Sequence, residues 1–452
     1  MSQASQQIGA AEAAAAAPAA AGATAAAPPA SLATVSPQSD SASIGGPAKP
    51  AGGTAMSTPQ RLRLLSLGVV VAGLVIGVVG ALVFSYLALS LSRAKADTAQ
   101  LIRVQKIQSN LLSADATATN AFLVGGLEPP AQRAAYDQAM SSTSSLIAEA
   151  AQAQSADGAA LAALNEQVLS YAGAIEQARA NNRQGLPVGA QYLRNASAQL
   201  RSEALPSLDN LVNANAARAT DEMKAGAGYI VLVVTFVGLV GVIIAQVWLA
   251  RRFRRTFNVG MLASSIVLFI LVVGSLIVVQ QLRGALNEIS SGSLAAVNTA
   301  ADARINANNA KSNESLTLIA RGSGQAFEAA WQSSANSVAE HVGDLSDKPE
   351  LVSQWQAYTD VHTQIRKLDD GGRWDRAVAN ATGSGPDSSN TVFAAFDGNL
   401  ASYLDGVSQE ASKSLADEQP IVVAAAIFSL LGGLAAALLG RRGLATRLKE
   451  YR

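Results

Sequence analysis

The sequence predicts an all-α membrane protein in which four transmembrane helices carry two extracytoplasmic helical domains, each like a four-helix bundle, related by internal duplication. Three observations lead there. Charged residues make up only 15% of the 452, whereas soluble proteins carry about a quarter. The apolar residues gather in four long uncharged blocks. The chain between those blocks repeats itself, so that Asn110, Ser113 and Thr117 fall on Asn306, Asn309 and Asn313 at one common shift. Cysteine is absent, which excludes disulfide frameworks, thiol nucleophiles and cysteine-bound metal centres.

In chain order, residues 1–60 form an Ala, Pro, Gly, Ser and Thr tract with almost no charge. Such a stretch buries too little surface to repay ordering and reads as a disordered cytoplasmic tail. Met1 and Met56 are both candidate translation starts within it. The uncharged blocks 64–92, 225–250, 256–282 and 419–440 each exceed the roughly 20 residues that cross a bilayer as helix. Only a helix satisfies its own backbone there. Gly68, Gly73, Gly77 and Gly80 in the first block have the spacing of close helix packing, or of ordinary membrane-helix composition.

Basic residues set the orientation. Arg61 and Arg63 precede the first span, Arg251, Arg252, Arg254 and Arg255 fill the 251–255 link, and Arg441, Arg442, Arg447, Lys449 and Arg452 lie in the tail 441–452. The positive-inside rule places both termini and the link in the cytoplasm, which makes a multi-pass cell-membrane protein. The formal net charge of zero then splits into about +9 inside, −1 on the first outer domain (93–224) and −8 on the second (283–418).

The first outer domain is rich in Ala, Leu, Gln and Glu, with breaks at Gly125–Pro130, Ser155–Gly158 and Arg183–Pro187. These leave four helices, the first continuous with span one and the last with span two. The second domain has breaks at Gly322 and Gly324, Asp344–Pro349, Asp369–Gly372 and Gly383–Pro386, and it is expected to hold four helical pieces in the same plan.

No phosphate loop, HExxH, nucleophile elbow or kinase motif set occurs. No catalytic, cofactor-binding or metal-binding residue is assigned, and the protein is expected not to be an enzyme. His341 and His362 stand on separate helical pieces without a carboxylate cluster nearby in sequence and read as surface histidines. Asp344, Asp347, Asp360, Asp369, Asp370 and Asp375 read as a solvated acidic face. The spans contain no ionisable group, which argues against an ion pathway or a transporter.

Three sets of residues are candidates for function. The stripe Asn110, Ser113, Thr117 with Asn306, Asn309, Asn313 is either a register-setting face that permits alternative packings or a face turned to solvent. Trp331, Trp355 and Trp374 are either core or a partner-binding patch. Arg251, Arg252, Arg254, Arg255, Arg441, Arg442 and Arg447 either dock a cytoplasmic partner or only fix topology against the lipid bilayer. The cytoplasmic face is too small for an output domain. Nothing points to nucleic acid, and long bundles are compatible with a homodimer.

The segments Asn120–Gly126, Asn313–Gly322 and Arg447–Arg452 resemble stretches of the GlnX-type four-span membrane proteins of actinobacteria, a similarity that runs over residues 61 to 452. That resemblance implies a signal transducer between an extracytoplasmic amino-acid-binding lipoprotein and the cytoplasmic serine/threonine protein kinase G. The alternatives are a direct small-molecule sensor of chemoreceptor type and an envelope scaffold.

Overall fold

A computed structural model describes residues 58–224, 228–253, 258–345 and 347–449. The expected tail, Met56, Arg254, Arg255 and Arg452 lie outside the described residues, as do the side chains of Arg252 and Arg447. Helices and short turns make up the described chain, with no strand among the described residues.

Helix α1 (Thr58–Val124) runs without a break for 67 residues, about 100 Å at 1.5 Å per residue. Then come α2 (Pro130–Ala153), α3 (Gly158–Arg183), α4 (Val188–Gln199), α5 (Leu205–Met223) and α6 (Gly228–Phe253). The second half comprises α7 (Val259–Ser291), α8 (Ser293–Ile319), α9 (Gln325–Asp344), α10 (Pro349–Asp370), α11 (Trp374–Thr382) and α12 (Ser389–Lys449). Four of these helices, α1, α6, α7 and α12, are long and apolar enough to cross a membrane. The chain is a multi-pass membrane protein of four spans with two helical domains beside them.

Each turn ends its helix for a local reason. Gly125, Gly126, Gly185, Gly322 and Gly372 take positive φ, the left-handed state that closes a helix without a side-chain clash. The two domains end their helices alike at two of these points. Gly126 and Gly322, which match in the sequence repeat, both end the helix rising from a span, and Gly185 and Gly372 both end the third helix of their domain. The second domain holds five pieces rather than the expected four: its four breaks fall where expected, and the stretch between the last two is the short helix Trp374–Thr382, α11.

Two irregularities were not foreseen. Residues Leu200–Ala204 form a π turn joining α4 to α5. Pro206, the second residue of α5, lacks the N–H that an α-helical ladder would use. Gly292 separates α7 from α8 at φ −102°, ψ −96°. A Cβ there would lie 2.6 Å from the Glu288 carbonyl oxygen, so the joint requires glycine.

Among the spans, α1 and α12 make the closest approach. A Cβ on Gly433 would meet Gly77 Cα at 2.4 Å, and one on Gly73 would meet the Ala437 nitrogen at 2.9 Å. Gly80 packs on Ser429, while Gly68 faces open space. The close-packing reading therefore holds for Gly73, Gly77 and Gly80. At the other end of these spans Asn258 caps α7 and donates from Nδ2 to the Gly443 carbonyl at 2.7 Å. That bond ties the start of α7 to the end of α12.

The two domains share an interface. Helix α1 packs on α2 and α5 of the first and on α8 and α12 of the second. Ile305 of α8 sits in the first domain's core, and Ile102 of α1 sits in the second's. Every residue from 310 to 318 is buried, so the distal end of α8 is enclosed on all sides.

Candidate functional site

The α1/α8 interface is polar where an ordinary core would be apolar. Asp115, fully buried on α1, accepts hydrogen bonds from Tyr171 Oη of α3 (3.2 Å), Ser197 Oγ of α4 (2.5 Å) and Ser312 Oγ of α8 (2.7 Å). Arg201 completes the shell at 2.9 Å. It stands in the π turn. One carboxylate thus joins three helices of the first domain to the central helix of the second.

The position matching Asp115 in the repeat is Lys311, and it too is buried. Its Nζ lies 2.8 Å from Glu314 Oε1 and 2.6 Å from Ser389 Oγ, and Ser389 donates to the same carboxylate oxygen at 2.6 Å. The other oxygen of Glu314 accepts from His362 Nδ1 at 3.1 Å. His362 Nε2 faces Glu328 at 3.3 Å, and Arg366 holds Glu328 from the far side, also at 3.3 Å. Trp331 stacks flat on the imidazole at 3.5 Å between centroids. A chain of charges therefore runs from inside α8 to Arg366 at the distal end of α10.

Burial alone would raise the Glu314 carboxyl, but the Lys311 charge and the His362 hydrogen bond outweigh it and hold the group down at about 2. Burial alone would lower His362; its bonds to Glu314 and Glu328 prevail and raise it. Lys311 is lowered because burial exceeds the pull of Glu314. Protonated His362 then donates from both ring nitrogens, one to each glutamate.

The sign of the pH effect follows. A histidine raised in the folded state contributes stability that is complete below its unfolded value of about 6.5 and is lost as pH rises through the folded one. Thermal melts of the full chain in detergent are expected to show the second domain weakening above neutral pH, and His362→Gln should flatten that slope. A wild-type slope that survives in the variant would place the titrating group elsewhere.

Asn120 forms a third junction. It accepts from Gln132 of α2 (2.9 Å) and Asn390 of α12 (2.8 Å) and donates to the Ala381 carbonyl of α11 (3.2 Å). Beside it, Ser113 and Thr117 of the predicted stripe line a cavity of about 280 Å³ together with Asn308, Lys311, Asn390 and Asp397.

Residues 90–224 match the family model of an actinobacterial sensor domain. The match begins near the domain-side end of the first span and ends with α5, so it covers the whole first domain with Asp115 at its hub. No curated protein matches the chain. A sensor domain gives the chain a sensing or signalling role, and its buried carboxylate is bonded directly to the second domain.

The other predicted residues fall as follows. Asn110, Asn306 and Asn309 are half-buried and Asn313 is buried. Asn306 and Asn313 bond back to the Asp302 and Asn309 carbonyls of their own helix. Trp331 and Trp355 are 8% and 3% exposed, so the partner-surface expectation for them gives way to core packing. Trp374 is half-buried, donates to the Leu318 carbonyl at 2.9 Å and lies under the Arg321 guanidinium. Arg251, Arg441 and Arg442 are exposed. The surface reading of His362 is corrected: it is 2% exposed, and the carboxylates it needed come from α8 and α9, distant in sequence. The acidic face holds for Asp344, Asp347, Asp360, Asp370 and Asp375 but not for Asp369, which is largely buried against Arg366.

Sequence reading missed Asp115, Lys311, Glu314 and the role of His362. One signal was present: the repeat sets opposite charges at matched positions 115 and 311 in otherwise charge-poor helix.

Proposed function

We propose that the chain is a non-enzymatic transmembrane signal transducer, which passes the state of an extracytoplasmic amino-acid-binding lipoprotein to a cytoplasmic serine/threonine kinase. The observation that supports this most is continuity. Helices α1 and α12 extend unbroken from the spans to the distal ends of the two domains, and they pack on each other along the way. A shift at the polar interface therefore has a stiff route to the arginines beyond the spans. The second domain, near −8, is the docking surface for the lipoprotein, since charge complementarity guides such encounters. The exposed Arg251, Arg441 and Arg442 dock the kinase.

Crosslinking in cells followed by co-purification, with and without external aspartate or glutamine, tests the partners. Both should be recovered, in yields that follow the amino acid. The movement is tested separately, and the absence of cysteine makes the chain a clean background for it. Lys106 and Asp405 pair across α1 and α12 at 2.6 Å. Cysteines at both positions, bridged by a short bis-maleimide, should abolish the kinase response, while either single cysteine leaves it intact. A bridged protein that still responds would rule out relative motion of these helices.

A second reading has its own observation. The polar cavity beside Ser113 and Thr117 suits direct binding of a small polar molecule. Calorimetry of the full chain with amino acids alone separates the two, since the relay expects no heat without the lipoprotein.

A further inference from the structure

Where the domains meet the spans, a cavity of about 350 Å³ opens between α1, the end of α5 and α7, within the size range of small-molecule sites. It has two halves of different chemistry. Leu87, Leu91, Val279 and Leu282 form an apolar wall, and Lys224 and Arg283 stand on the rim. Arg283 is the first charged residue after the apolar block 256–282, and Lys224 is the last before 225–250. Both cations therefore stand at the depth where the bilayer changes from hydrocarbon to headgroup.

Ser90 is 2% exposed and lines the cavity, yet its Oγ has no hydrogen-bond partner among the described residues. That Oγ is itself closed to a water-sized molecule, so Ser90 lines the cavity without offering it a polar atom. Two details point to an occupant. The one carboxylate of the rim, Glu222, is turned to Arg93 at 3.6 Å, which leaves Lys224 without a described ion partner. Arg283 rests over the Tyr229 ring at 3.9 Å and bonds its hydroxyl, an arrangement that keeps the guanidinium at the level of the interface.

We propose that this cavity holds one anionic phospholipid, with its phosphate between Lys224 and Arg283 and the start of one acyl chain against the apolar wall. The site stands apart from the signalling reading and depends only on the four spans. Residues of α1, α5 and α7 all line it, so its occupant braces the first domain against the membrane.

The test is native mass spectrometry of delipidated full-length protein in detergent, titrated with phosphatidylglycerol, phosphatidylcholine or inorganic phosphate. One phosphatidylglycerol per chain is expected to be retained in preference to phosphatidylcholine, and free phosphate should not bind. The double variant Lys224→Gln/Arg283→Gln leaves the apolar wall in place and should weaken phosphatidylglycerol about thirtyfold. Arg441→Gln/Arg442→Gln, at the other end of the spans, should leave it unchanged. Ser90→Leu should fill the cavity and remove the adduct, with circular dichroism checking its fold. Equal retention of the two lipids, phosphate binding as tightly as lipid, or an undiminished adduct in the Lys224/Arg283 variant would each overturn the proposal.

Discussion

Glu314→Leu is expected to cost about 3–5 kcal/mol of stability, the penalty for leaving one member of a buried ion pair without the other. The reason is local. Among the described residues, Lys311 Nζ has only Ser389 and the carboxylate for polar partners, with the Tyr358 and Phe393 rings just under 6 Å away. Protonated His362 would lose its inner acceptor at the same stroke. The companion variant Lys311→Met/Glu314→Leu removes both charges and should recover most of the loss, because a well-packed apolar pair commonly replaces a buried salt bridge without penalty. Denaturant titration of the full chain in detergent, read by circular dichroism, checks both. A single variant that loses less than about 1 kcal/mol would mean that Lys311 is neutral or reaches water.

Gly433→Val is the second large effect, and it acts in the spans. Its Cβ would lie 2.4 Å from Gly77 Cα and 2.6 Å from the Gly73 oxygen. Both are backbone atoms, which cannot turn aside as a side chain can. Helices α1 and α12 would have to separate, at about 3 kcal/mol or more, the upper end of the overpacking range. Gly68→Val is the control, since a Cβ there meets nothing within 4 Å. The expected outcome is a steep loss of thermal stability for the first and none for the second. Equal behaviour would place the contact between α1 and α12 elsewhere along the spans.

The spans and the helix-ending glycines were legible because each rests on local chemistry. An uncharged block must be helical in lipid, and Gly126 or Gly322 ends a helix whatever surrounds it. Two features escaped for the opposite reason. His362 takes its character from Glu314 and Glu328, which lie 48 and 34 residues away, and no spacing rule joins three separate helices. Asp115 takes its character from Tyr171, Ser197 and Ser312, which lie on three other helices. The joint at Gly292 was hidden too, because a lone glycine in a helical pattern is more often tolerated than structural.

That joint gives the molecule uneven mechanics. Helix α1 crosses from domain to span as a single rod, and α12 as one continuous helix with Pro420 inside it at the head of its apolar block. The α7–α8 line is interrupted at Gly292, ten residues above the end of its apolar block. A twist applied to the domains would therefore arrive as torque on the first and fourth spans, and the third span would stay behind as a stator. The Asn258–Gly443 bond at the far end of the bundle is where such a torque would first be felt as strain between a moving helix and a still one.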